Sequence, residues 1–347
     1  MNKESYLNQL NDALKGVDEK VRKELMDDFN EHFQSGIQEG KSEAEIIASL
    51  GSVEELIEAL DLDNTIEHIQ NNDFPSEYKV DSVNIDGLHA SIHVCSSKDE
   101  LTHVRCEKAG RLLDKLSYDV TMKQDGSNLS IEVHNNKRTI FRRPFSVISK
   151  ELDIYLEIPE TLALFKCKTV NGDIDLDQVK MKQLTLSSTS GDMDLQDLET
   201  LDTTIDLVSG NCEINSIMGN LSVRSTSGDM EVQSHRGQTA KLYSVSGDIE
   251  YQGEAKDIGS NTTSGDGNLI LKQVDHLTIE TVSGDFEVTM GVSQFGLIGQ
   301  FKTVSGELSV KSDNHTSTYE GSQNEIVIGD QKTKVYLKTI SGDIEIH

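Results

Sequence analysis

Tryptophan is absent from this 347-residue chain, proline occurs three times, and aromatic residues make up 5%. With 35% hydrophobic residues in all, the core is expected to be narrow, aliphatic and spread along an elongated body. Basic side chains are also scarce, with 32 Lys and Arg against 60 Asp and Glu and a formal charge of -28. That balance excludes nucleic acid and anionic membrane as general partners and favours cations, cationic peptides or basic protein surfaces. The four cysteines (Cys95, Cys106, Cys167, Cys212) lack C-x-x-C or zinc-ligand spacing. They read as reduced thiols of a cytoplasmic protein, with Cys167 and Cys212 as small core residues. No run is long and apolar enough to span a bilayer, and "MNKESYLNQLNDALKG" carries no apolar leader segment. A soluble protein is expected, with an outward route to the cell surface as the alternative. A phosphate loop, a dinucleotide fingerprint, a nucleophile elbow and an H-E-x-x-H helix are all missing. Neither an enzyme nor a cofactor or metal site is expected.

Charge is distributed in three zones. Residues 1–76 hold 18 acidic and 6 basic side chains, residues 77–165 hold 14 and 12, and residues 166–347 hold 28 and 14. The first zone has helical periodicity. Leu7, Leu10 and Leu14 form one apolar stripe, and Val21, Leu25, Phe29 and Phe33 form another. Ser42 with Glu45, and Ser52 with Glu55, each fit a capping box, and Gly51 lies between them as a helix-ending glycine. Four short helices are predicted over residues 1–70, followed by a linker at 71–79.

From about Val80 the period becomes two. Residues 80–165 read as a strand-rich lead-in, with a hairpin turn at Asp125-Gly126. A phrase then recurs: "TVNGDIDL", "STSGDMDL", "STSGDMEV", "SVSGDIEY", "TVSGDFEV", "TVSGELSV", "TISGDIEI". Its glycines are Gly172, Gly191, Gly210, Gly228, Gly247, Gly265, Gly284, Gly306 and Gly342. Most lie 18 or 19 residues apart; the last gap is two periods, with Asn324 at its midpoint as a degenerate copy. A fixed short period with strand composition around a turn is the signature of a solenoid. The fold class is therefore mainly β: a single-stranded parallel β-helix of about ten rungs of 18–19 residues over 166–347, behind a small all-α domain. Counted from each glycine, positions -7, -5, +2 and +4 are mostly apolar and face inward, as in Leu184, Leu186, Met193 and Leu195. Position -3 is usually Thr or Ser, whose hydroxyls are expected to bond between rungs. The glycine is expected to supply a positive φ at a corner.

These residues resemble two known families. The "V/T-S-G-D-hydrophobic-x-hydrophobic" repeats, with their lead-in, are similar to the bacterial "putative adhesin" β-strand-repeat family, also called the toastrack domain. "YLNQLNDALKG", "DDFNEHFQSGIQEGKSEAEIIASLGS" and "EELIEAL" resemble the HAAS helical domain of Gram-positive bacteria. The resemblance implies a part in cell-envelope stress sensing beside Lia- or Psp-type membrane modules, without an established enzymatic activity.

Two features are candidate contacts. Position +1 is acidic in most rungs (among them Asp192, Asp229, Asp248 and Asp285), and so is position +3 (Asp194, Glu231, Glu250 and Glu287). Stacking turns these into two outward acidic columns. Unit charges one rung apart, about 4.8 Å, repel by about 0.9 kcal/mol in water before salt screening. A bound polycation would relieve that repulsion, although a merely solvated face fits the same pattern. Calcium is a weaker fit, because it takes six to eight oxygens. The second feature is "NNKRTIFRRPFSV", where Lys137, Arg138, Arg142 and Arg143 surround Phe141. It reads either as a strand pair capping the end of the solenoid or as a contact for a membrane or an acidic partner. The expected function is a non-enzymatic binding and signalling scaffold for a membrane-bound or regulatory protein, cytoplasmic and peripheral to the membrane. A surface adhesin is the alternative, and a carbohydrate-active β-helix enzyme comes third.

Overall fold

The structure is a computed structural model that describes residues 1–60, 75–108, 118–135, 152–292, 295–312, 315–321, 324–329 and 332–347. The chain divides into two compact units. One comprises Met1–Ser76, Arg105–Met122 and Glu132–Asp153, and the other Glu77–Val104, Lys123–Ile131 and Ile154–His347. Of the expected linker, Asn71 to Lys79, residues 71–74 lie outside the described residues, and Glu77–Tyr78 forms a short strand.

Helices α1 (Lys3–Ala13), α2 (Glu19–Gln38), α3 (Glu43–Leu50) and α4 (Val53–Leu60) form the helical part. Both capping boxes are present. The Ser42 amide donates to Glu45 Oε2 at 2.8 Å while the Glu45 amide donates to Ser42 Oγ, and Ser52 with Glu55 repeats the exchange. Gly51 ends α3 at φ 78°, a value that side-chain-bearing residues rarely adopt. Leu7, Leu10, Leu14, Leu25, Phe29 and Phe33 are buried in one cluster with Tyr6, Ile46, Leu50, Val53 and Leu56. Among the described residues this core is drawn from residues 6–57.

The second unit is a parallel β-solenoid. Each rung is a strand, a tight corner carrying the repeat glycine, and a second strand. Leu164–Thr169 with Ile174–Asp177 makes the Gly172 rung, and Gln183–Ser188 with Met193–Gln196 stacks on it in register. The Gly210, Gly228, Gly247, Gly265 and Gly284 rungs follow in order. The first rung comes from the lead-in. Ser82–Leu88 pairs parallel with the first strand of the Gly172 rung, and Ala90–Ser96 with the second, so that Ala90 stands at the glycine position. In the rungs from Gly172 to Gly284 the expected inward positions are all buried, including Leu277, Ile279, Phe286 and Val288 as well as Leu184, Leu186, Met193 and Leu195. Cys167 and Cys212 are buried among them. A fully buried aliphatic side chain contributes about 1.5–3 kcal/mol, which one rung alone does not obtain because its apolar face needs neighbours above and below.

The structure corrects the sequence reading at two places. Asn324 does not begin a parallel rung. Asn324–Ile328 runs antiparallel to Leu297–Lys302, and His315–Glu320 runs antiparallel to Glu307–Ser312, so these strands cover the Gly306 rung as a cap. The rung that continues the stack beyond Gly284 is the last in the sequence, Thr333–Lys338 with Ile344–Ile346, and the Gly306 rung lies beyond it. Ten parallel rungs result, with Ala90 rather than Asn324 completing the set.

The second correction concerns the glycines. Of the nine, only Gly210 has a positive φ, 126°. The others are required by proximity. A Cβ on Gly191 would lie 2.0 Å from Gly172 O, one on Gly228 1.8 Å from Gly210 O, and one on Gly247 2.0 Å from Gly228 O. Successive corners approach so closely that no side chain fits between them.

Candidate functional site

The repeated Ser-Gly-Asp triplet is a rung-to-rung fastening. The serine before the glycine donates to the preceding rung: Ser190 Oγ to Val170 O at 3.0 Å, Ser209 Oγ to Thr189 O at 3.1 Å, Ser246 Oγ to Thr226 O at 3.1 Å. The Asp or Asn after it accepts from the following rung. Asp173 Oδ1 takes the Asp192 amide at 2.9 Å, Asp192 takes Asn211 at 2.8 Å, Asn211 takes Asp229 at 3.1 Å, and Asp229 takes Asp248 at 2.9 Å. The series continues through Asp248, Asp266 and Asp285 to Asp343 and then Glu307. These bonds reach partners 18 to 20 residues away, and 58 and 36 residues away at the last two rungs, so each fastens one rung to the next. The buried Thr and Ser at position -3 behave in the opposite way. Ser188, Ser244, Thr303 and Thr339 accept the amide of their own rung's glycine, and only Thr262 to Thr281, at 3.1 Å, links two rungs.

The two acidic columns therefore differ. In the +1 column, Asp192, Asp229, Asp248 and Asp285 each commit one oxygen to a backbone amide, which offsets part of their mutual repulsion. The +3 column has no such ladder. In register it runs His93, Asp175, Asp194, Glu213, Glu231, Glu250, Asn268, Glu287, Glu345, Ser309. Its ends have neighbours that can pair with the carboxylates, the two histidines only when protonated. His93 Nδ1 lies 2.7 Å from Asp175 Oδ2, His347 Nε2 lies 3.4 Å from Glu287 Oε1, and Lys311 pairs with Glu345. Partial burial pushes the Asp175 carboxyl above the usual range despite the pull of His93, and Asp194 and Asp173 add to the rise. The hydrogen bond from Lys311 lowers Glu345. Between the ends, Asp194, Glu213, Glu231 and Glu250 form no ion pair with any described residue. Gln196 and Gln233 donate to Asp194 and Glu231 at 3.2 and 3.0 Å, and both donors are neutral.

Of the sequence-predicted residues, the structure brings Asp194, Glu231 and Glu250 into this uncompensated stretch and adds Glu213. Glu287 lies beyond Asn268, 3.4 Å from His347 Nε2. The basic segment with Lys137, Arg138, Phe141, Arg142 and Arg143 lies outside the described residues. Sequence reasoning did not pair His93 or Lys311 with the column; His93 stands in register with Asp175, whereas Lys311 reaches Glu345 from two residues beyond the register partner Ser309. It also missed His235, buried in the Gly228 rung, which bonds Gly219 O through Nε2 and the Tyr251 hydroxyl through Nδ1, both at 2.7 Å. Among the described residues no group of three or more His, Cys, Asp or Glu side chains is arranged to hold a metal ion, and no helix is long and apolar enough to cross a membrane.

Comparison with known proteins gives two sequence matches. The family described as Toastrack DUF4097 matches residues 80–347, and the HAAS family matches residues 5–59. No curated protein matches the chain. Among solved structures, a "putative adhesin" from Bacteroides fragilis is 17% identical, with a TM-score of 0.38 over 78% of this chain and 95% of that one. A "putative cell adhesion protein" from Clostridium sporogenes is 9% identical, with a TM-score of 0.25 over 79% of this chain and 99% of that one.

Proposed function

The chain belongs to the toastrack family through its match over residues 80–347, and from that premise we propose that it is a non-enzymatic binding scaffold whose acidic sheet face takes a polycationic peptide. The observation that carries this reading is the run of Asp194, Glu213, Glu231 and Glu250, four carboxylates at successive rungs without a described cationic partner. A peptide with basic side chains along one face supplies charge at that spacing and relieves the repulsion in the column. Such binding weakens as salt rises, since exposed charges are screened over about 8 Å at physiological ionic strength. The helical part is the adaptor of the same scaffold. It binds a membrane-bound or regulatory protein of the cell-envelope stress response, with the chain on the cytoplasmic side and peripheral to the membrane. The basic segment around Arg142 and Arg143 steadies that complex against an acidic surface.

The test titrates the full chain with a cationic amphipathic peptide by calorimetry at low and at physiological salt. A variant carrying Asp194→Asn, Glu213→Gln, Glu231→Gln and Glu250→Gln is expected to bind at least tenfold more weakly and to melt no lower than the parent. Asp229 and Asp248 are left intact because they hold the amides of the next rungs. Equal affinity for parent and variant would remove the acidic face as the site.

A further inference from the structure

Spatial order and chain order part company at one place in the solenoid. The Gly284 rung is followed in sequence by the Gly306 rung, yet the Gly342 rung stands between them. Thr333–Lys338 is parallel to His276–Glu280 on one side, with Leu277 opposite Val335 and Ile279 opposite Leu337. On the other side it is parallel to Leu297–Lys302, with Gly299 opposite Val335 and Phe301 opposite Leu337. Ile344–Ile346 lies in the same way between Phe286–Met290 and Glu307–Ser312. The corner fastening runs through without a break. The Asp343 amide donates to Asp285 Oδ1, and the Glu307 amide to Asp343 Oδ1, both at 2.8 Å. Val335, Leu337, Ile344 and Ile346 are all buried.

Growth from the end of the stack cannot place a rung there. Either the Gly284 and Gly306 rungs stand apart until the Gly342 rung enters, or the Gly342 and Gly306 rungs dock together onto an open Gly284 edge. Both routes pass through a state in which the Gly284 rung presents an unpaired parallel edge with its Ser-Gly-Asp corner exposed. The ladder bonds that hold the inserted rung come on one side from the Gly284 rung, which is not its neighbour in sequence, and on the other from the Gly306 rung, from which the antiparallel cap strands separate it along the chain. The site therefore reads the strand pattern and the corner triplet, and which molecule supplies them does not alter the contacts. The connection back to the Asn324–Ile328 strand is four residues long, 329–332. Gly329 begins it at φ 59°, and a Cβ on it would lie 2.6 Å from Phe295 O. A hinge this short favours an extended connection to a neighbouring molecule.

We propose that the position between the Gly284 and Gly306 rungs is a strand-insertion site, and that its partner is a second copy of this chain, with residues 333–347 exchanged reciprocally between two molecules. Closed and exchanged forms make the same rung contacts, so their ratio depends on the effective concentration of the tethered rung, about millimolar for a short linker. Exchange is thus established when chains fold at high local concentration. It then persists, because withdrawing a rung breaks two ladders at once.

The experiment uses the full chain with Cys95→Ser and Cys106→Ser, which removes the two cysteines that are not buried. Thr278 and Tyr336 are register partners across the insertion, so one chain carries Thr278→Cys and a second carries Tyr336→Cys. The chains are unfolded, mixed, refolded over a range of protein concentrations and mildly oxidised. The expected result is a disulfide-linked heterodimer whose yield rises with concentration and falls to background when the two chains are mixed after folding. Adding Gly342→Val to the Tyr336→Cys chain is expected to abolish it, since the new Cβ would sit 2.0 Å from Gly284 O. A single chain carrying both cysteines reports the closed form through an internal disulfide. If that internal bond forms while the mixed chains give no heterodimer at any concentration, exchange does not occur and the proposal fails. It fails equally if neither the internal bond nor an intermolecular one forms at any concentration, or if the heterodimer survives Gly342→Val.

Discussion

At the residue scale, each letter of the Ser-Gly-Asp triplet has its own reason. Serine donates to the previous rung, the acidic residue accepts from the next, and glycine lets the two backbones meet. The acceptor role needs an oxygen rather than a charge, as Asn211 demonstrates by holding the Asp229 amide at 3.1 Å. The glycine role is steric, and two substitutions separate it from conformational freedom. Gly228→Val would force a β-branched side chain against Gly210 O and is expected to cost about 3 kcal/mol or more, read as a fall in urea midpoint. Gly259 also lies in the solenoid, but a Cβ there meets nothing within 4 Å. Gly259→Ala is expected to raise stability by about 0.5 kcal/mol, because it restricts the unfolded chain. Equal losses from both variants would contradict the close-approach account.

At the element scale, the Gly228 rung breaks the aliphatic rule. His235, on the strand Met230–Arg236, is 2% exposed and bonds a backbone carbonyl and the Tyr251 hydroxyl. Gly237 leaves room for the ring: a Cβ there would lie 2.8 Å from His235 Nε2. Burial lowers the imidazole pKa, and the hydrogen bond to Gly219 O opposes that only in part. The unfolded imidazole takes up its proton near 6.5. The folded value lies below this, so the stability His235 contributes is complete above about pH 6.5 and is lost as pH falls through the depressed folded value. The urea midpoint is therefore expected to fall between pH 7.5 and pH 5, and to fall less in a His235→Gln variant, where carboxylates and the other histidines still titrate. Identical pH slopes for the two proteins would show that His235 is not the source.

At the scale of the whole molecule, the described helical cluster is drawn from residues 6–57, and the solenoid rungs are buried against one another and the antiparallel cap. Removing residues 1–60 is expected to leave the melting transition of the β unit within a few degrees of the parent, as followed by circular dichroism. It is also expected to abolish recovery of the membrane or regulatory partner in a pull-down from native membranes. Recovery of the same partner by the shortened chain would reassign the adaptor role to the β unit.

Much of this was legible in the residues. Period-two alternation about each glycine identified the buried set, from Leu184 and Leu186 to Phe286 and Val288, because a strand's side-chain direction is a local property. The capping boxes at Ser42 and Ser52 were legible for the same reason, as each is completed within three residues. Other features depend on partners remote in the chain. A positive φ and a close backbone approach both demand glycine, and only the distance from Gly228 to Gly210 O tells them apart. A gap of two periods around Asn324 fits a hidden rung and an antiparallel cap equally well. The acidic columns were visible as columns, but which carboxylates keep their charge uncompensated depended on His93, Lys311 and the inter-rung amides. The order of the last rungs was decided by tertiary structure alone. Every Ser-Gly-Asp corner fits every other, so local pattern cannot rank the neighbours of Gly342; chain connection and the antiparallel cap on the Gly306 rung do.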